Sequence, residues 1–481
     1  MSPSQRIPRN ESHAMSDVAA PSGLFDRALR RITGVWRDMA QGVAREEDDS
    51  LAAQMRTCLA GRGGEVSARN RAAKLAQTYL TLDRAGRHAF LVTLAGFDSD
   101  PDAVATAYEA VRAAADPAAR ASAKARLRRV LEPPRARLLT QFTAIPDGVK
   151  FLVDLRAELR DLMGDDPLLG ALESDLRALL TSWFDVGFLE LRAIDWNSSA
   201  ALLEKLAGYE AVHGVRSWRD MKNRLDSDRR CYAFFHPRMP AEPLIFVEVA
   251  LVRGLADSVQ TLLDQKAPLV NPREADTAVF YSISNCQRGL AGISFGNFLI
   301  KRVVELLSAE LRNLKTFATL SPVPGFRTWL DAKLAASPAD LLSEEESSTL
   351  RTAAPSDLPA PETGAAALAM ILAARGWWRD AAMRRAADPV LLRLSARYLL
   401  LESRGSRALD QVAHFHLSNG ARLERIVPLA DTSEKGLKES AGLMVNYLYD
   451  PARIEEYHED YAGEGKRNAA TAVRRLSRGW T

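Results

Sequence analysis

The sequence predicts an α+β multidomain protein, with an N-terminal all-helical bundle followed by a mixed α/β catalytic domain. Three observations carry this. From Leu24 to about Phe142, alanine, leucine, arginine and glutamate recur with helical apolar spacing. Beyond about Leu203, short runs rich in β-branched and aromatic residues alternate with helical stretches. At 481 residues the chain exceeds one ordinary core.

In chain order, residues 1–23 are polar and punctuated by Pro3, Pro8 and Pro21, which predicts a disordered tail. Breaks at Gly61 to Gly64 and Phe97 to Asp102 divide residues 24–147 into several helices, a packing and oligomerisation domain without apparent chemistry. Ile145-Pro-Asp-Gly148 is a turn signal taken as the domain boundary, so residues 148–481 form the second domain. Strands are expected at Tyr232 to Phe235, Leu244 to Val252, Ala278 to Ser284 and Thr316 to Leu320, with helices at Ser258 to Asp264 and Asn297 to Leu311. Trp377-Trp378 reads as a packing anchor. Gln411 to Leu417, Asn419-Gly420 and Arg422 to Val427 together read as a β-hairpin, because Asn-Gly meets the positive φ angles of a tight primed turn.

Composition excludes several classes. The 64 basic and 61 acidic residues nearly cancel, at a net charge of +3, which gives a nucleic-acid partner no support. No apolar run reaches membrane length. Cys58, Cys231 and Cys286 are odd in number and far apart, which fits a reducing compartment. Neither a transit-type start nor a Ser-Lys-Leu type address is seen, and the cytoplasm is expected. With seven histidines, three cysteines and no paired ligand spacing, no metal site is expected.

The stretch from Phe280 to Leu307 is the richest in chemistry. Its first part alternates like a strand, Gly289, Gly292 and Gly296 space a turn, and helical periodicity follows. Such a turn can aim backbone N–H groups outward at the start of a helix, where an anion binds without a lysine. No Gly-Lys-Ser/Thr and no Gly-x-Gly-x-x-Gly is present, which argues against a nucleoside-triphosphate loop and a dinucleotide fold. A tight turn packed on its sheet and a site for the pyrophosphate of coenzyme A both remain open on spacing alone. Cys286 lies inside the turn without a base beside it in sequence and reads as a small packing residue.

Phe280-Tyr-Ser-Ile-Ser284, the three glycines, Phe298-Leu-Ile-Lys-Arg-Val-Val304 and Ser321-Pro-Val-Pro-Gly-Phe326 together resemble the malonyl-CoA decarboxylase family. The resemblance extends over most of the chain beyond Gly148, through Trp183-Phe184, Glu210-Ala-Val-His213, Trp218-Arg-Asp-Met-Lys222, Arg230-Cys-Tyr232, Glu242-Pro-Leu244, Ala396-Arg-Tyr-Leu-Leu400, Phe415-His-Leu-Ser-Asn-Gly-Ala421, Gly442-Leu-Met444 and Asn446-Tyr447. It implies a GNAT-like catalytic domain behind the helical one, malonyl-CoA as substrate, no cofactor, and a homo-oligomer for which a tetramer is the form to test.

Decarboxylating a malonyl thioester sends electrons from C2 into the thioester carbonyl, so the protein must stabilise an enolate oxygen and then supply a proton to carbon. The resemblance points to Ser284 as the catalytic serine, and strand alternation puts Ser282 on its face. His416, whose imidazole range allows proton donation near neutrality, is the proton donor the resemblance implies, since it fits the Phe-His-Leu pattern before Asn-Gly-Ala, whereas His414, expected on the same strand face, lies outside it. The resemblance also assigns substrate contacts to Tyr449, to Gly289, Leu290, Ala291 and Gly292, and to Ala256, Asp257, Ser258, Val259 and Gln260. Two other readings compete: an acyltransferase that uses the same CoA fold, and a silent acyl-CoA sensor that binds without turnover.

Overall fold

The computed structural model describes residues 35–39, 50–60, 64–293, 298–336, 338 and 341–478. The expected tail 1–23 and Gly296 lie outside them. The chain forms two units, Met1–Leu179 and Leu180–Thr481.

Among the described residues the first unit is helical: α1 (Leu51–Leu59), α2 (Glu65–Thr81), α3 (Arg84–Ala95), α4 (Pro101–Ala113), α5 (Pro117–Leu131), α6 (Pro134–Phe142) and α7 (Gly148–Leu162), with α8 (Pro167–Trp183) reaching past its end. Side-chain oxygens start several of these helices. Asp83, Asp100 and Asp116 each accept a backbone N–H at a helix N-terminus, satisfying a donor that has no intrahelical partner. The boundary expected at Gly148 is not where the units divide. The turn there exists, with Asp147 at φ 54°, but it opens α7, whose Phe151 ring packs 5.8 Å from Tyr79 and 5.1 Å from Phe142. A turn signal marks a reversal of the chain, and here the reversal joins two helices of one core.

The second unit is built on an eight-stranded mixed sheet. β1 (Glu190–Ile194), β2 (Arg229–His236), β3 (Met239–Val252) and β4 (Thr277–Asn285) run antiparallel in order, and β5 (Thr316–Thr319) lies parallel to β4. β6 (Ser321–Pro322), β9 (Arg422–Val427) and β10 (Met444–Leu448) complete the sheet around β10, while β7 (Ser403–Arg404) and β8 (Arg407–Ala408) form a separate ribbon. The strands expected at Tyr232 to Phe235, Leu244 to Val252, Ala278 to Ser284, Thr316 to Leu320 and Arg422 to Val427 are present, whereas β1, β6, β7, β8 and β10 were not foreseen.

Helices α9 (Ala200–Tyr209) and α10 (Trp218–Asn223) pack Leu203, Leu206 and Met221 over Phe246 of β3. The short helix α11 (Val259–Leu262) covers Ala250 and Tyr281 on the same side, since Phe246 and Ala250 are four residues apart on one strand. α12 (Phe298–Glu310) follows the glycine turn as expected. The remaining helices are α13 (Phe326–Ala336), α14 (Glu344–Ala353), α15 (Gly364–Ala373), α16 (Ala381–Leu400), α17 (Gln411–Ser418), α18 (Glu434–Ser440), α19 (Ile454–Glu464) and α20 (Thr471–Leu476). Trp377 is buried before α16, in keeping with a packing role.

The hairpin expected at Gln411 to Val427 is instead helix α17 followed by β9. Asp410 caps the helix by accepting the N–H groups of Val412 and Ala413. Gly420, at φ 78°, ends it, with the Ala421 N–H returning to the His416 carbonyl at 3.1 Å. Asn-Gly supplies a left-handed residue, which a helix C-terminus needs as much as a primed turn does.

Candidate active site

Ser284 is 1 % exposed, and its Oγ lies in a hydroxyl cluster with Ser282, 3.3 Å away. Both hydroxyls donate to Glu210 Oε2, Ser282 at 2.7 Å and Ser284 at 3.3 Å, and the Ala211 N–H donates to Ser284 Oγ at 3.3 Å. Strand alternation therefore predicted the serine pair correctly. Ser284 pairs with Phe246 and Ser282 with Glu248, so the cluster opens on the face covered by α9 and α10.

His416 is 2 % exposed and belongs to a different network. Its Nε2 lies 2.9 Å from Ser321 Oγ and its Nδ1 2.8 Å from Tyr449 Oη, and its ring stacks on Tyr447 with centroids 4.4 Å apart. Ser321 donates to Thr319 Oγ1 at 2.9 Å, so the consistent tautomer has Nε2–H donating to Ser321 and Nδ1 accepting from Tyr449. Helical geometry separates the two histidines. Residues two apart on a helix diverge by about 200°, and His414 meets Tyr461 Oη at 2.8 Å instead. The shared strand face expected for the pair is thus corrected, although His416 remains the buried one.

Burial pushes the His416 imidazole down to about 3, so it is neutral at pH 7. This corrects the expectation of a proton donor titrating near neutrality. The unfolded chain binds this proton near pH 6.5 while the native state refuses it until about pH 3, so stability falls as pH drops through that window. The expected contribution is about 1.4 kcal/mol per pH unit. Urea midpoints for wild type and His416→Asn between pH 7.5 and 5 check it, and parallel curves would refute it.

No described hydrogen bond joins Ser284 to His416. β4 explains the separation through a bulge: Glu248 pairs with Ser282 and Val249 with Phe280, so the extra residue Tyr281 lies in the cluster with Val259 and Leu262 on the serine side, whereas Phe280 stands 6.2 Å from the Tyr449 ring on the other. The sheet thus carries a serine and carboxylate cluster on one side and an imidazole and phenol cluster on the other.

The segment 256–260 is pinned from two directions. Ala256 O accepts from Arg425 Nη2 at 3.0 Å and Asn446 Nδ2 at 3.1 Å, the Val259 N–H donates to Ala430 O at 2.9 Å, and Gln260 Nε2 donates to Asp431 Oδ1 at 2.8 Å. Asp257 is exposed, and Ser258 caps α11. Val259 and Gln260 line a cleft of about 810 Å³ with His213, Arg216, Asp431 and Lys435. That cleft brings the segment beside the 210–213 turn that holds Ser284. Asn446 also donates to Thr319 O at 2.7 Å, tying the segment to the strand end that leads to Ser321.

In the glycine turn, Arg288–Leu290 form one 3-10 turn in which Gly289 and Leu290 are buried, while Ala291 and Gly292 are exposed. Gly292 has φ 76° and open space where a Cβ would stand. The Cys286 thiol is buried and pushed well up by desolvation, which suits packing rather than attack on a substrate. Sequence reasoning missed Glu210, Ser321 and Tyr447 as members of the two networks. Each lay in or beside a segment that carried the resemblance, but no spacing rule connects it to its partner.

Family models for the malonyl-CoA decarboxylase C-terminal domain match residues 187–480, and for the N-terminal domain residues 97–184. The proteins named malonyl-CoA decarboxylase, mitochondrial, are 37% identical over 333 residues in Anser anser anser and 38% over 336 in Rattus norvegicus. Each alignment covers 68% of this chain, and it covers 66% and 68% of the relatives, so about two thirds of their length is spanned. The crystal structure of malonyl-CoA decarboxylase from Rhodopseudomonas palustris is 43% identical at a TM-score of 0.80, covering 88% of this chain and 98% of that one. That from Agrobacterium vitis is 40% identical at 0.79, covering 89% and 99%. With matches of this extent on both units, the chain belongs to the malonyl-CoA decarboxylase family.

Proposed function

We propose that the chain converts malonyl-CoA to acetyl-CoA and CO2. The observation that carries this reading is its 43% identity, over 88% of its length, to a structure named malonyl-CoA decarboxylase. In the reaction the bond between C2 and the carboxylate breaks, its electron pair enters the thioester carbonyl, and the enolate is protonated at C2. The thioester is the electron sink. The resemblance implied Ser284 as the donor to the thioester oxygen, but it lies across the sheet from His416, so the hydroxyl proposed to share the thioester with His416 is Ser321, 2.9 Å from its Nε2. His416, with both ring nitrogens occupied by hydroxyls, acts once a substrate oxygen replaces Ser321 or Tyr449, and the growing enolate charge then raises its basicity. Purified protein with malonyl-CoA and no acyl acceptor should release CO2 and acetyl-CoA in equal amounts. Binding without release would favour the sensor, and turnover that waits for an amine the acyltransferase.

The exposed turn at Ala291 and Gly292 is the proposed pyrophosphate site. Gly292→Asp should weaken CoA-ester binding roughly tenfold by charge repulsion. Gly292→Asn, which also tolerates positive φ, should stay near wild type. Equal affinities of the two variants, measured by calorimetry, would remove the pyrophosphate from this turn.

Helix α5 buries none of its residues, which supports the helical unit as an assembly surface and a homo-oligomer, with light scattering as the test. No helix among the described residues is long and apolar enough to cross a membrane. Three free, buried cysteines support a reducing compartment, and the cytoplasm is proposed.

A further inference from the structure

The neutral His416 ring carries one proton, and what the ring can do depends on which nitrogen holds it. A proton on Nε2 faces Ser321, and a proton on Nδ1 faces Tyr449. Neither contact fixes the choice alone, since a serine or tyrosine hydroxyl can donate or accept. The choice is made one residue further out, at Thr319.

Thr319 ends β5 and is fully buried, two residues before Ser321 opens β6. Its Oγ1 accepts the Tyr447 N–H at 3.1 Å and the Ser321 hydroxyl at 2.9 Å, and its own proton is directed at Val445 O, at 3.5 Å. Both lone pairs and the proton are thereby engaged. With the Ser321 proton on Thr319, the Ser321 oxygen must accept from Nε2–H, and Nδ1 is left bare to accept from Tyr449. Reversing the chain would put the Ser321 proton on Nε2 and the ring proton on Nδ1. The buried Tyr449 hydroxyl would then lose the acceptor of its proton, and Val445 O would lose its Thr319 donor. Tyr447 N–H and Val445 O both belong to β10, the strand whose Tyr447 ring stacks on the imidazole, so the backbone beside His416 also sets the direction of its hydrogen bonds.

We propose that Thr319 is the positioning residue of the His416 site: it draws the Ser321 proton onto itself and so holds the imidazole with its N–H at Nε2, facing the place proposed for the thioester. This rests on the decarboxylase reading. An entering thioester oxygen can take the Nε2–H and the Ser321 hydroxyl as donors. Thr319 is not stranded when the Ser321 proton turns away, because the Tyr447 N–H stays on its oxygen. Thr319 does not touch substrate in this role, so its effect must pass through Ser321.

The test compares Thr319→Val, Thr319→Ser, Ser321→Ala and Thr319→Val/Ser321→Ala in steady-state decarboxylation. Beside it stand nitrogen NMR spectra of histidine-labelled protein, in which His416→Asn assigns the His416 signals. A bare ring nitrogen and a protonated one differ in shift, so the spectra read the tautomer directly. Wild type should show Nε2 protonated and Nδ1 bare at pH 7. Valine keeps the shape of threonine but cannot accept, and losing one neutral hydrogen bond changes a ratio of states roughly tenfold. Thr319→Val should therefore lower kcat roughly tenfold, with KM changed less than about threefold, and move His416 toward the Nδ1–H tautomer. Thr319→Ser restores the hydroxyl and should keep kcat within about threefold of wild type, with the wild-type tautomer. In the Ser321→Ala background Thr319→Val should cost nothing further, since residues that act through one another fail to add. Undiminished kcat or an unchanged tautomer in Thr319→Val, an equal loss in Thr319→Ser, or the same fold loss with and without Ser321 overturns the proposal. So does a wild-type spectrum with the proton on Nδ1, a result that needs no variant to fold. A wild-type protein that releases no CO2 would sink the proposed function, while the tautomer in wild type and variants still decides the role of Thr319.

Discussion

His416→Asn should reduce kcat by roughly 10²- to 10⁴-fold, the usual loss when a positioned acid or base is removed, and leave CoA-ester affinity near the wild-type value. His414→Asn should cost no more than a few-fold. The contrast follows from helix α17, which turns His416 onto Tyr449 and Ser321 and His414 onto Tyr461. Asparagine can replace one hydrogen bond to a hydroxyl, but it cannot pass a proton between two of them. The effect should fall on kcat because His416 is buried away from the exposed turn proposed for the pyrophosphate. Decarboxylation kinetics beside direct CoA-ester binding, on variants of native circular dichroism, decide the matter. Near-normal turnover in His416→Asn, or an equal loss in His414→Asn, would remove His416 from the mechanism.

The two networks differ in how much of them a sequence can disclose. Ser282 and Ser284 share a face because a strand has period 2, a local rule that holds once β4 is recognised. The same rule misplaced His414 and His416, because the eight residues of α17 are too few to reveal their period and Asn-Gly serves helix ends and hairpins alike. The imidazole's neutrality was also illegible. It comes from burial by strands and helices distant in sequence, such as Tyr447 beneath the ring, and burial of this kind has no local signature. Glu210 is a similar case: its partners lie 72 and 74 residues away on β4, beyond α10, β2, β3 and α11. β10 carries polar Asn446 between tyrosine and valine, which disguised a central strand. Its side chain turns out to be buried and bonded to Ala256 O and Thr319 O.

Gly420→Ala should destabilise the second unit by about 3 kcal/mol or more, adding a left-handed conformation that costs an L-residue about 1–2 kcal/mol to an overpacking cost of about 1–3 kcal/mol. A Cβ there would stand 2.2 Å from the Ile454 carbonyl oxygen and 2.8 Å from its Cγ2. Backbone cannot yield as a flexible side chain would, so α17 or α19 must move. His416 ends the hydrogen bond that closes this cap, from the Ala421 N–H at 3.1 Å, and any shift of α17 displaces its ring from Tyr449 and Ser321. Turnover should therefore fall along with stability, even though no side chain of the site has been altered. Gly376→Ala is the matched control: its φ of 80° imposes the same backbone strain as the 78° of Gly420, but nothing lies within 4 Å of the added Cβ. Denaturant midpoints and kcat for the two variants separate strain from collision. Equal destabilisation by both would mean that backbone conformation alone sets the requirement for glycine at 420, and that the packing of α17 against Ile454 plays no part in holding His416.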